Sequence, residues 1–195
     1  LAITRAVASS ITQGLPKQKT LLAGNSTILP GSYESIATVT VSSSVSSVSF
    51  TSIPSTYTHL QIRLIGNNSA TDAAYTTFNS DTGTNYTRHR LVGNGTAATA
   101  AAGTAQTAIV TNSGTIGFPS TANCFGPSIM DILDYANTNK YKTVRTLSGV
   151  DINSSGGVEL ASGVWMNTAA ITRIDITAYL GNWTQYSSFA LYGIK

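Results

Sequence analysis

Nucleophilic, acid–base and metal chemistry each need particular side chains within reach of one another, and this 195-residue chain offers few of them. It holds one cysteine, Cys124, and two histidines, His59 and His89. A nucleophilic triad needs a Ser or Cys, a base and an orienting acid. No G-x-S-x-G elbow occurs to announce one. His59 falls on the polar side of an alternating run, and His89 stands between Arg88 and Arg90. Surface or hydrogen-bonding duty is expected of both. Paired carboxylates would suit glycoside hydrolysis, as in a depolymerising enzyme. The best local pair, Asp131 and Asp134 in SIMDILDYANTNK, has an odd separation that puts the two on opposite faces of a strand. Glu34, Asp151, Glu159 and Asp175 are scattered.

Asp81-x-Gly83-x-Asn85 has the opening spacing of a calcium loop without its further acidic ligands, so a turn is expected there. GNGTAA at 93–98 has two glycines of a dinucleotide fingerprint but neither the third nor a βαβ setting. Asn25, Asn94 and Asn182 open N-x-S/T triplets, which arise by chance in a chain so rich in Ser and Thr. Trp165 and Trp183, with Tyr135, Tyr141, Tyr179, Tyr186 and Tyr192 nearby, could stack sugars or bases. Core and interface packing is the commoner use of such rings. The expectation is therefore no catalytic residue, no cofactor-binding residue and no metal ligand. A single cysteine also precludes an intramolecular disulfide.

The elements that would position these residues are strands. Only 10% of residues are charged, against about 25% in ordinary domains, so the polar surface comes from Ser, Thr, Asn, Gln and Gly. Leu60, Ile62 and Leu64 alternate with His59, Gln61 and Arg63; Ile174, Ile176, Ala178 and Leu180 alternate with Arg173, Asp175, Thr177 and Tyr179. Ser35, Ala37, Val39 and Val41 are expected to share one face of a first strand, and Phe189 and Leu191 one face of a last. A two-residue period marks half-buried strands. Further runs are 45–50, 75–79, 86–92, 107–111, 129–135, 141–150 and 158–167, separated by turn-forming clusters such as SDTGTN and NSSGG. About ten such strands imply a sandwich, jelly roll or barrel. The small, uncharged stretch 93–106 suits either a loop at a hairpin tip or a short alanine helix interrupted by Gly103, and the loop is the favoured reading. The fold class expected is all-β: an antiparallel, jelly-roll-like β-sandwich body over 31–195 with an extended N-terminal arm over 1–30.

The arm differs from the body. Residues 1–30 hold Arg5, Lys17 and Lys19 and no acid, whereas the other eight basic residues match all eight acidic ones in 31–195. The net charge of +3 thus belongs to the arm. Ile3, Val7 and Ile11 are spaced for a short helix over 2–12; the rest of the arm reads as extended. Arg5, Lys17 and Lys19, for charge complementarity, and Ile11, Leu15, Leu21 and Leu22, for burial, are the expected partner-binding residues. A neutral body lacks the clustered basic face of a nucleic-acid binder. No run of about 18 apolar residues predicts a transmembrane helix, and the N-terminus lacks the apolar core of a signal peptide. The chain opens on Leu1, not Met, which leaves room for a segment removed ahead of it.

The stretches SYESIATVTV, VSFTSIPSTYTHLQIRLIG, DILDYANTNKYKTVRTLSG, GVWMNTAAITRIDI and SSFALYGIK together resemble tailed-bacteriophage virion structural proteins over most of 32–195. The resemblance implies a β-sandwich component of the head-decoration, cement or fibre type, commonly a homotrimer, and brings no catalytic residue with it. It implies a location on the phage particle, at the capsid exterior, with the major capsid protein or another virion protein as partner. The expected function is a non-enzymatic capsid decoration or cement protein held by its arm. The alternative is a fibre or adsorption module that binds host glycans through loops 67–72, 93–106 and 181–186.

Overall fold

The computed structural model describes residues 32–70, 73–111, 121, 123–153 and 155–195. The chain divides into two units, Leu1–Ser32 and Tyr33–Lys195, and the description below is of the second. The arm, the helix expected over 2–12 and the expected partner-binding residues Arg5, Ile11, Leu15, Lys17, Lys19, Leu21 and Leu22 lie outside the described residues.

The body is all-β. Its strands are β1 (Tyr33–Thr40), β2 (Ser47–Phe50), β3 (His59–Gly66), β4 (Ala74–Phe78), β5 (Tyr86–Gly93), β6 (Ala98–Gln106), β7 (Ile109–Thr111), β8 (Gly126–Leu133), β9 (Lys142–Asp151), β10 (Gly156–Trp165), β11 (Ile174–Ala178) and β12 (Ser188–Ile194). They form an eight-stranded sheet in the order β1-β12-β3-β8-β9-β10-β5-β6 and a four-stranded sheet in the order β2-β11-β4-β7. All pairings are antiparallel. Taken alone, β1-β12-β3-β8 facing β2-β11-β4-β7 is the alternating strand order of a jelly roll. The β5–β6 and β9–β10 hairpins extend one of its two sheets.

Each sheet buries one face. Leu60, Ile62, Leu64, Ile132, Val144, Phe189 and Leu191 of the large sheet meet Phe50, Phe78, Ile174 and Ile176 of the small one in a single core. The expected duty of the two tryptophans is met. Trp165 packs 5.6 Å from Phe78 and 6.3 Å from Tyr86, and Trp183 sets its edge against Phe189 at 5.0 Å. The sheets approach so closely at Gly163 of β10 that an added Cβ would lie 2.6 Å from Ile109 Cγ2. Only glycine fits there.

Two expectations need correction. Stretch 93–106 is not a loop: Ala98–Gln106 is β6, paired along β5, and only the turn at 94–97 joins them. Asn94 Oδ1 accepts from Thr96 N and Ala97 N there, with Gly95 at φ 84°. Alanine is a weak strand former by itself, so pairing decided the outcome. In β1 a bulge between Ser35 and Ala37 breaks the alternation. Ile36 and Ala37 both pack on the core, and Ser35 is exposed on the other side.

Candidate functional site

The residues first considered for chemistry are placed apart and are engaged locally. Strand β8 ends at Leu133, and Asp134 lies in the following turn at φ 49°. The expected opposition across a strand is thus replaced by two separate settings. Asp131 pairs with Arg145 at 3.1 Å and accepts from Gln61 at 2.8 Å. Asp134 binds Lys140, whose ammonium holds that carboxyl below the usual carboxylate range. His59 Nδ1 accepts the Asp134 backbone N–H at 3.0 Å, a hydrogen-bonding role as expected. Cys124 is partly buried with Sγ 3.8 Å from the Asp151 carbonyl.

Asp81 closes a turn. Its carboxylate accepts from Gly83 N at 2.9 Å, Asn85 Nδ2 at 2.8 Å and the buried Trp165 Nε1 at 2.8 Å. The Asn85 and Trp165 bonds hold its pKa below the ordinary value. Oxygens that face three N–H donors are poorly arranged for a cation. Among the described residues no group of three or more His, Cys, Asp or Glu is placed to hold a metal ion. Lys142 is fully buried, and its ammonium donates to the carbonyls of Asn137, Lys140 (2.9 Å) and Thr168 (3.0 Å). Burial lowers its pKa, but its three donors are already used on backbone, and it serves to tie two loops together.

What distinguishes the molecule is the outer face of the eight-stranded sheet. The pairing registers lay side chains there in rows that run across the strands. One row is polar: Ser35, Tyr192, Gln61, Asp131, Arg145, Ser162, His89 and Ala102, one from each strand. Its charged members are matched within the chain, and Arg63 beside it lies over the Tyr33 and Tyr192 rings at 5.7 and 5.3 Å. The adjacent row is apolar: Ile129, Leu147, Leu160, Leu91 and Ala100 stand directly opposite one another on β8, β9, β10, β5 and β6. All four large members are exposed. Val158, also exposed, and Ile65 flank it on the next row.

The small sheet presents the opposite character. Its outer row runs Ser47, Thr177, Tyr75 and Val110, with Ser49, Asp175 and Thr77 alongside. Asp175 is partly buried, which raises its pKa, but its bonds to Arg173 and Ser49 outweigh that and hold it below the ordinary value. Tyr75 and Tyr179 stack at 4.3 Å over this face. One face of the sandwich is hydroxylated and wet; the other carries an aliphatic stripe.

The stripe was not anticipated from the sequence, although a signal for it exists. In SIMDIL and VELASGVW apolar residues occupy both alternations, which a sheet with one wet face does not require. Loops 67–70 and 181–187 are brought together: Ser69 N donates to Asn182 O at 2.9 Å, Asn182 N to Ser69 Oγ at 2.9 Å, and Thr184 N to Asn67 O at 2.9 Å. Tyr186 is 70% exposed at their rim, with φ 73°. No helix among the described residues is long and apolar enough to cross a membrane. Comparison with known proteins adds no relative: no family model, no curated protein and no solved structure matches the chain.

Proposed function

We propose that the chain is a non-enzymatic structural component of a bacteriophage virion, a decoration or cement protein that attaches to the outside of the capsid through its N-terminal arm. The observation that carries this reading is the partition of charge and hydrophobicity between arm and body. The body matches every acidic residue with a basic one, whereas the arm keeps Arg5, Lys17 and Lys19 unmatched beside Ile11, Leu15, Leu21 and Leu22. Extended segments of this composition bind by adding backbone to sheet edges and burying alternate side chains. Support also comes from the sequence resemblance and from the jelly-roll strand order, which capsid and lectin domains use, although a fold by itself does not fix a function. As a homotrimer the protein would multiply weak single attachments into avidity.

Binding of the full chain and of a Δ1–30 variant to undecorated capsids, with copies counted per particle, tests the proposal. Saturable high-copy binding that vanishes without the arm is expected. Absence of binding by either form would end it. A second reading, a fibre or adsorption module that binds host glycans, is favoured by the joined loops 67–70 and 181–187. A bulky residue at positive φ is costly, and Tyr186 is held there by its N–H to Val41 O at 2.9 Å. Glycan-array binding lost in Tyr186→Ala would select this reading.

A further inference from the structure

We infer that the outer face of the eight-stranded sheet is a self-association surface, on which copies of this chain pack through Ile129, Leu147, Leu160 and Leu91. This inference deepens the homotrimer of the proposed reading by naming the face through which copies meet, and it does not depend on what the arm binds. Three observations carry it. The first is area. Ile65, Ile129, Leu147, Leu160, Leu91 and Val158 are 42–57% exposed, and half of ~180 Å² per side chain gives roughly 550 Å² of apolar surface in one patch. That is the upper end of what a monomer leaves in water. It also approximates the apolar share of the ~800 Å² that each partner buries in a standard interface.

The second is shape. The four aliphatic side chains belong to four consecutive strands in direct register, so they form a straight ridge. The ridge ends on Ala100 of β6, beside Ala102 of the neighbouring row, where small side chains let a second sheet come close. Sheets packed face to face interdigitate such rows.

The third is charge. Asp131 and Arg145 beside the ridge are already paired, and Arg63 is capped by two tyrosine rings. The Arg63 guanidinium keeps its charge at the β3 end, opposite Ile129, while the row from β8 to β6 carries none. A strongly acidic or basic partner would find no complement along the row itself. An identical aliphatic row fits it best.

The test is the mass of the full chain by sedimentation over roughly 1–100 μM, with two variants. Leu147→Lys combined with Leu160→Glu places the new charges opposite each other in register, so they pair within the chain. The wild type is expected at a multiple of 20.3 kDa, and the double variant at the monomer mass with an unchanged circular dichroism spectrum. Should that variant fail to fold, Leu147→Gln with Leu160→Gln adds no charge and is expected to dissociate likewise. Thr77→Lys, on the wet face of the small sheet, should leave association intact. A wild type that stays at 20.3 kDa throughout would assign the stripe to a foreign partner and overturn the inference. Folded stripe variants that keep the wild-type mass would overturn it too.

Discussion

Replacing Asp81 by Ala should destabilise the body by unmaking the β4–β5 turn. The carboxylate accepts three hydrogen bonds, from Trp165 Nε1, Asn85 Nδ2 and Gly83 N, all between 2.8 and 2.9 Å. The three do not count equally. Trp165 is 1% exposed, so water cannot readily replace Asp81, and an unpaired buried donor costs about 1–3 kcal/mol. The other two donors lie nearer solvent and lose about 0.5–1 kcal/mol each. The total is about 2–5 kcal/mol. For a body of this size each kcal/mol lowers Tm by about 2–4 °C, which places the expected drop near 5–15 °C.

Scanning calorimetry of wild type, Asp81→Ala and Asp81→Asn measures it. Asn keeps the shape but turns an N–H₂ toward one of the three donors, so its Tm should fall between the other two. The folded-state pKa of Asp81 lies below its ordinary 3.8. Its contribution is therefore complete above that value and disappears as pH falls through the lower folded value. The gap between wild type and Asp81→Asn should accordingly be constant from pH 8 to 5 and narrow in stronger acid. Millimolar calcium should leave the wild-type Tm unmoved. An Asp81→Ala Tm within about 2 °C of wild type would refute the reasoning, because it would mean that water satisfies the Trp165 N–H after all.

Three further outcomes are expected. Gly163→Ala places a methyl 2.6 Å from Ile109 Cγ2 and 3.0 Å from the Thr87 carbonyl, and should lower urea-unfolding stability by about 1–3 kcal/mol through overpacking. Ile132 and Leu133 are chain neighbours on opposite faces, 0% and 47% exposed. Ile132→Ala should cost about 2–5 kcal/mol and Leu133→Ala under about 1, by the same urea assay. Lys142→Met removes the donor from the carbonyls of Asn137, Lys140 and Thr168. A loss of about 1–3 kcal/mol is expected from the carbonyls left without a donor, and a variant as stable as wild type would show that the loops close without it.

The strands were legible because most of them keep one wet and one dry alternation. In β3 and β11 the inward set Leu60, Ile62, Leu64 and Ile174, Ile176, Ala178 can be read directly from the two-residue period. β6 was not legible, since Ala, Thr and Gly carry no alternation; its conformation is set by β5 across the hairpin. The bulge at Ser35 likewise depends on the register of β12, a chain segment more than 150 residues away. The outer stripe escaped for a related reason. Leu147, Leu160 and Leu91 are far apart in sequence, and only the strand order β9-β10-β5 makes them neighbours.

That strand order carries a consequence for assembly. Within the jelly-roll strands the inner face is apolar and the outer face mixed, with Gln61 and Arg63 standing beside Ile65, Ile129 and Leu133. Along the added strands the polarity turns over. Thr146, Ser148 and Glu159 face inward and are buried, and Arg88 and Arg90 share that side of β5, while Leu147, Leu160 and Leu91 face outward. Folding alone does not reward an aliphatic row held in water, which forgoes about 25 cal/mol for every Å² left exposed. A soluble monomer would be better served by Ser or Thr at those positions, as the small sheet has at Ser47 and Thr177. β6 adds to the contrast, because it is a nine-residue edge strand without Lys, Pro or any charge, whereas β2 and β7 are edges of four and three residues. Long uncharged edges are normally blunted in monomers. The two hairpins that enlarge the sheet thus supply both an apolar face and an open edge, and association with further chains is the arrangement in which neither is a cost.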